Sequence, residues 1–259
     1  MSSDSRRWIF GDQLGPTFLD NPKQPVLLVE SKAVFRRRKF HRQKAHYILS
    51  AMRHRAAELG DQVIFLQTET YGEALRQVRS SGDSDPLSVC SPTSRGAERF
   101  VRSLDGVEVL PERNFGTTRE EFAAWAGERG GRRLLMEDFY RRARLRHDLL
   151  MDGSEPAGSK WNLDHDNREP PPKTGKLAIA EPVWPSEDEI DDEVRADLDR
   201  WERDDGIVFV GKDGPRKFAA TRREALAALR RFLAERLPTF GPYEDAMLAG
   251  DWTMAHSLL

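Results

Sequence analysis

Five short apolar runs, separated by helix-length segments, restrict this chain to very few architectures. They are Arg7-Trp-Ile-Phe10, Pro25-Val-Leu-Leu-Val-Glu30, Val63-Ile-Phe-Leu66, Leu87-Ser-Val-Cys90 and Val107-Glu-Val-Leu110. Near-continuous runs of this kind suit strands covered on both faces. Between them the periodicity is helical. Ala45, Ile48, Leu49, Met52, Ala56 and Leu59 fall on one helix face, and shorter helices are expected over 71–78 and 94–104. A βαβα order with five strands predicts a five-stranded parallel, doubly wound α/β sheet. Right-handed crossovers then place helices on both of its faces.

The rest of the chain reads as helical. Thr117 and Thr118 precede Glu120 and Glu121, a capping-box start. A helix is expected from about Leu134 to Met151, and an acidic one from a cap at Ser186 through Trp201. Gly206 to Pro215 is a turn-rich connection. Thr221-Arg-Arg-Glu224 opens a further helix bearing Leu226, Leu229, Phe232, Leu233 and Leu237. Pro238 and Gly241-Pro242 are expected to end it, with one more short helix over Tyr243 to Leu248. These elements divide the chain into an α/β domain over 1–130, interdomain helices and a long loop over 131–215, and the start of a helical domain over 216–259. The stretch from Pro156 to Pro172 has no periodicity, yet it gathers Trp161, Asn162, Asp164, Asp166, Asn167 and Arg168. Long structureless stretches are functional loops or linkers. A plain linker is dominated by Gly, Ser or Pro and carries no aromatic anchor, so this one reads as an ordered crossing.

Charge and cysteine content exclude several classes. With 41 basic and 43 acidic residues the net charge is -2, which points to neither nucleic acid nor membrane. Arg36 to Lys44 is the one strong basic cluster. It opens a helix, where positive charge opposes the dipole, and it is a candidate for phosphate or domain–domain contact. Cys90 is the single cysteine, which allows no disulfide framework or iron–sulfur cluster and suits a reducing, cytoplasmic location. The six histidines show no metal-ligand spacing. His165, between Asp164 and Asp166, lacks a second histidine nearby, and no metal site is expected. No catalytic residue can be assigned, because no nucleophile–base pair stands out. No apolar run is long enough to cross a bilayer.

Gly11-Asp12-Gln13-Leu14 follows the first strand, at the edge where doubly wound sheets bind ligands. Glycine permits close backbone approach, and Asp12 and Gln13 offer an acceptor and an amide. Glu30 ends the second strand at the same edge. A ligand pocket and a pair of ordinary strand-end carboxylates are equally open readings.

Taken in order, several segments resemble one family. They are Gly11-Asp-Gln-Leu14, Phe40-His-Arg-Gln-Lys44 running into Leu49-Ser-Ala-Met-Arg-His54, Met136-Glu-Asp-Phe-Tyr-Arg141, Leu150-Met-Asp-Gly153, Lys160-Trp-Asn-Leu-Asp-His-Asp-Asn-Arg168, Phe240-Gly-Pro-Tyr-Glu-Asp-Ala-Met247 and His256-Ser-Leu-Leu259. Together they look like the deoxyribodipyrimidine photolyase-related proteins, the iron–sulfur bacterial cryptochromes and photolyases.

The resemblance implies a Rossmann-like antenna domain holding a lumazine-type chromophore, with Gly11, Asp12, Gln13, Glu30 and Ile48 as pocket candidates. It implies a helical domain with FAD and a four-cysteine 4Fe–4S cluster in the full-length family, acting by light-driven repair of (6-4) photoproducts in DNA or by blue-light sensing. Lys160, Trp161, Asn167 and Arg168 are expected at DNA or at the domain interface. The chain departs from the pattern in two places. Val34 stands where lumazine-binding members place a glutamate. The sequence also stops as the flavin-binding half begins, so that half is expected as a partner in cis or as a separate chain, and catalysis is not expected of these residues alone. The surface for Trp161 is expected to be largely missing, leaving its loop mobile.

Overall fold

A computed structural model describes residues 5–82, 85–163, 166–167, 169–177, 180 and 183–250. The chain forms two compact units, one of residues 1–114 and 183–228, the other of residues 115–182 and 229–258. In the first lie β1 (Arg6–Ile9), β2 (Val26–Ser31), α1 (Lys32–Arg37), α2 (Arg42–Leu59), β3 (Val63–Thr68), α3 (Tyr71–Ser80), β4 (Leu87–Cys90), α4 (Arg95–Arg102) and β5 (Val107–Leu110). The second opens with α5 (Arg119–Glu128), α6 (Met136–His147) and a short antiparallel pair, β6 (Met151–Asp152) with β7 (Glu155–Pro156). Then come α7 (Glu189–Asp204) in the first unit, α8 (Arg222–Arg231) and α9 (Leu237–Tyr243).

The sheet runs β3-β2-β1-β4-β5, and every pairing is parallel. Register and the two-residue side-chain period together create its two faces. Trp8 lies opposite both Leu27 and Val89. These three point the same way and pack with Phe10, Val29, Ala74, Leu75 and Val101, the last three from α3 and α4 together with Phe10 and Val29 of the strands' ends. One residue along, Ile9, Val26, Leu28 and Cys90 face the other way and pack with Phe18 and Met52. Thr70 and Ser94 start α3 and α4 by accepting the N–H groups of Glu73 and Ala97, which satisfies otherwise orphaned donors.

A third apolar cluster explains why residues 183–228 belong to this unit. Phe35, Ala45 and Leu49, from α1 and α2, pack with Val194, Leu198 and Trp201 of α7 and with Ile207 and Phe209 beyond it. The strip is fixed at its end by backbone hydrogen bonds, Arg42 N–H to the Val210 carbonyl (2.9 Å) and Val210 N–H to the Phe40 carbonyl (2.9 Å). Gly211 follows with φ 75°, and any Cβ there would collide with the His41 ring. The sequence-based boundaries at 130 and 215 therefore do not coincide with the two units.

Three local readings are corrected. Asp188 rather than Ser186 caps α7: its carboxylate accepts from Ile190 N–H, and Asp191 reciprocates to the Asp188 N–H at 3.2 Å. The Ser186 carbonyl is instead an acceptor for Arg216. Pro238 does not end the helix. A π-turn over Phe232–Arg236 separates α8 from α9, and Pro238 falls in the first turn of α9, a position that proline tolerates. The short helix expected over 243–248 is absent, since α9 stops at Tyr243.

In the second unit Thr118 and Glu121 form the expected capping box. Trp125 packs between Phe122 (5.5 Å) and Phe139 (4.9 Å) to join α5 to α6. Arg144 closes the C-terminus of α6. Its guanidinium donates to the carbonyls of Leu149 (3.1 Å), Leu150 and Trp161 (3.3 Å). No helix among the described residues is long and apolar enough to cross a membrane.

Two outcomes follow. Trp201→Ala removes a ring that is 2% exposed and should lower stability by about 3–5 kcal/mol in urea denaturation. Glu224 gives a pH signature. Burial pushes its carboxyl up, but hydrogen bonds from Arg216 and from the Thr221 and Ala220 N–H groups outweigh this and hold it below its ordinary value. A depressed folded-state pKa stabilises above the unfolded value and is lost as pH falls through the folded one. The urea midpoint should therefore drop between neutral pH and about pH 3, and drop less in Glu224→Gln.

Candidate functional site

At the centre of the sheet β1 lies between β2 and β4. The chain leaves β1 toward one side and β4 toward the other. The crevice at such a switch point is where doubly wound sheets bind ligands.

The turn after β1 is tight, with Gln13 N–H donating to the Phe10 carbonyl at 2.8 Å. A Cβ on Gly11 would stand 3.2 Å from Ile48 Cγ2 and 3.3 Å from Met52 Sδ, so glycine is what lets this turn lie against α2. Asp12 is exposed. Its carboxylate accepts from Thr93 Oγ1 at 3.3 Å, and its carbonyl accepts from Asn114 at 3.3 Å. The Tyr71 hydroxyl is pushed up to about 12, chiefly by burial and then by the charge of Asp12. Arg37 Nη2 comes within 3.7 Å of the position a Cβ on Gly96 would take, in the first turn of α4.

Gln13 and Glu30 point into the protein. Gln13 is fully buried and its Nε2 donates to the Cys90 carbonyl at 3.1 Å, tying the β1 turn to the end of β4. Glu30 is 2% exposed. Arg53 of α2 grips it in a bidentate pair, 3.0 Å on each oxygen, and Gln67 donates to it at 2.9 Å. The same guanidinium reaches Asp197 of α7 at 2.5 Å. Burial pushes the Glu30 carboxyl up against these hydrogen bonds. Burial also works against the charge of Arg53, but Glu30 and Asp197 hold it above its ordinary value. The structure thus brings Gly11 and Ile48 together, while Asp12 and Glu30 bind separate partners.

Val34 is packed against the apolar cluster of Phe35, Leu198 and Trp201. Two cations of the basic run, Arg36 and Arg42, are paired from within, while Arg37, Arg38, Lys39 and Lys44 are exposed. Arg36 bonds Glu69 at 2.8 Å and the Asp205 carbonyl, and Arg42 binds Asp199, Glu202 and, at 3.5 Å, Asp213. These pairings and the Arg53 clamp were missed by sequence reasoning. The available signal was the acidic face of α7, for which the basic start of α2 is the complement.

In the second unit Lys160 pairs with Asp166 at 2.8 Å. Trp161 is half-buried, its ring covered by the guanidinium groups of Arg144 (5.3 Å) and Arg141 (5.6 Å). The expectation was a largely missing surface for Trp161; α6 supplies part of one, and the residue is half-buried. Asn167 approaches Gly241, where a Cβ would meet its Oδ1 at 3.0 Å. Arg168, Asp164, His165 and the segment from Trp252 to Leu259 lie outside the described residues. Cys90 is buried beside Arg7 Nη1 at 3.3 Å, and burial pushes its thiol up. With one cysteine in the sequence, these residues do not fit a four-cysteine cluster.

The Arg53 clamp can be tested by substitution. Arg53→Met strands Glu30 and should cost about 3–5 kcal/mol, whereas Glu30→Leu combined with Arg53→Met should recover most of that loss. Chemical denaturation of both variants measures it.

Comparison with known proteins agrees with this architecture. The family model described as deoxyribodipyrimidine photo-lyase-related protein matches residues 7–205, which takes in the whole sheet and α7. A protein of Agrobacterium fabrum (strain C58) named (6-4) photolyase is 34% identical over 271 aligned positions, covering 97% of this chain and 52% of that protein. The chain spans about half the length of the curated relative it matches. On these grounds it belongs to the deoxyribodipyrimidine photo-lyase-related protein family.

Proposed function

We propose that the first unit is the antenna-type, heterocycle-binding part of a light-driven flavoprotein, and that the protein containing it repairs (6-4) photoproducts in DNA. The observation that carries this reading is the 34% identity to a (6-4) photolyase across nearly the whole chain. Blue-light sensing is the other activity the family resemblance allows. DNA is the proposed partner of the whole protein, with the lesion turned out of the duplex to reach a flavin. FAD and a 4Fe–4S cluster are proposed for the longer family protein rather than for these residues, whose sole cysteine is Cys90. Catalysis is accordingly not assigned to this chain alone, and no residue in it is named catalytic.

The proposed ligand of the sheet edge is a planar heterocycle of the lumazine type. Gly11, Asp12 and Ile48 are its proposed contacts, because Gly11 leaves backbone accessible against α2 and Asp12 is an exposed acceptor. Gln13 and Glu30 serve as the support beneath. Val34, half-buried against an apolar cluster, offers no acceptor, so polar recognition falls to Asp12 and the backbone of the β1 turn. Fluorescence titration of the full chain with 6,7-dimethyl-8-ribityllumazine is the test. Saturable binding that weakens about tenfold or more in Gly11→Val supports the reading, since the added methyl groups crowd Ile48 and Met52. Failure of the wild-type chain to bind removes the antenna role.

A second reading, a stand-alone heterocycle-binding protein without catalysis, draws support from one feature. Residues 183–228 return to the sheet unit and complete its third apolar cluster. Under limited proteolysis, survival of both units intact favours that reading, and rapid loss of residues beyond Ala228 favours the first.

A further inference from the structure

Away from the sheet edge, a separate group of chemistry-bearing side chains gathers where α2 meets the start of α7. His54 of α2, with Asp188 and Asp191 of α7, places one imidazole nitrogen and two carboxylate oxygens within 4.8 Å of one another. Asp191 is fully buried, and the His54 side chain is 10% exposed. His54 Nε2 is buried with no hydrogen-bond partner. It faces Asp188 Oδ1 at 3.5 Å, beyond a good hydrogen bond. Two ligands held at ~2.1 Å by one tetrahedral or octahedral ion stand ~3.0–3.4 Å apart, so this pair is close to coordinating separation. The Asp188 side chain is on the solvent side, 56% exposed.

The charge around the group is unbalanced. Three guanidinium groups, those of Arg216, Arg195 and Arg42, pair with four of the five nearby carboxylates, and Asp188 is the fifth. Arg216 lies between Asp191 (3.1 Å) and Glu224 (3.0 Å). Arg195 is committed to Glu187 (2.6 Å) and Asp213 (3.3 Å), and Asp213 is shared with Arg42. Asp188 accepts backbone N–H groups at the start of α7 and faces the His54 imidazole. His46, also from α2, reaches the Asp191 carbonyl at 3.2 Å and its Oδ1 at 3.4 Å. The site is therefore short of positive charge at the point where an unused imidazole nitrogen meets a carboxylate. One nitrogen and two carboxylate oxygens suit zinc, cobalt or manganese better than the all-oxygen shells of calcium and magnesium.

We propose that His54, Asp188 and Asp191 bind one first-row divalent metal ion of the zinc class, with water completing its coordination. The ion bridges α2 and the first turn of α7, so its role is to fasten that helix to the sheet unit. Asp191 contributes a carboxylate whose two oxygens also accept from Arg216 Nε, at 3.1 and 3.3 Å, and Asp188 both caps α7 and supplies a ligand.

The test uses the full 259-residue chain, stripped of metal and titrated with Co2+ while the visible ligand-field bands are followed, then competed with Zn2+. The expected result is one Co2+ per chain, displaced by Zn2+, with a rise in melting temperature on metal binding. Asp188→Asn keeps a good helix cap and His54→Gln keeps a polar side chain of similar reach. Each should retain the wild-type circular dichroism spectrum yet bind Co2+ at least about tenfold more weakly. Absence of Co2+ bands in the wild type overturns the proposal, as does undiminished affinity in His54→Gln. A His54 that simply takes up a proton beside Asp188 gives no Co2+ bands and counts against it.

Discussion

The guanidinium of Arg53 is the interaction on which the first unit depends. It stands between Glu30 at the end of β2 and Asp197 on α7, so one cation joins strand, helix and returning segment. The Glu30 carboxylate is buried, and an unpaired charge there is strongly unfavourable. Arg53 supplies the pairing, and its attachment to Asp197 requires α7 to be in place. The apolar cluster of Leu49, Leu198 and Trp201 gives the same helix its hydrophobic hold. Nondirectional burial brings α7 to the surface of α2, and the paired charges fix where along it the helix lies.

The same arrangement changes the meaning of the basic run from Arg36 to Lys44. As sequence, it is a candidate for phosphate. In the fold, Arg42 faces Asp199, Glu202 and Asp213, while Arg36 faces Glu69 and Asp205. Lys32 adds a further pair with Asp205 at 2.5 Å. At the switch-point crevice Asp12 is an exposed carboxylate.

The sheet was legible because its strands are nearly continuous apolar runs of a length that helices do not use. Leu87–Cys90 and Val107–Leu110 are strands at those limits. The capping boxes at Thr118 and Thr221 were legible because their partners lie three residues away. Asp188-x-x-Asp191 is the same signal with aspartate in both places, and Ser186 obscured it. The return of α7 was not legible, because Arg53 and Asp197 are separated by 144 positions and charge pairs carry no period. For the candidate site the limit is orientation. Gly11 and Ile48 do meet, but nothing in the sequence distinguishes an Asp12 that faces solvent from a Glu30 that faces the interior, since both simply follow an apolar strand. Trp161 shows the same limit. Its cover comes from Arg144, which reads in sequence as one more arginine on a basic helix.

Native-state amide hydrogen exchange on the full chain addresses the clamp directly. If Arg53 makes α7 an integral part of the sheet unit, the α7 amides around Val194 to Trp201 open only with global unfolding, at the same free energy as those of β1 and β2. Exchange of the α7 amides at a clearly lower free energy, while β1 and β2 stay protected, contradicts the account and makes α7 an attached helix that opens alone.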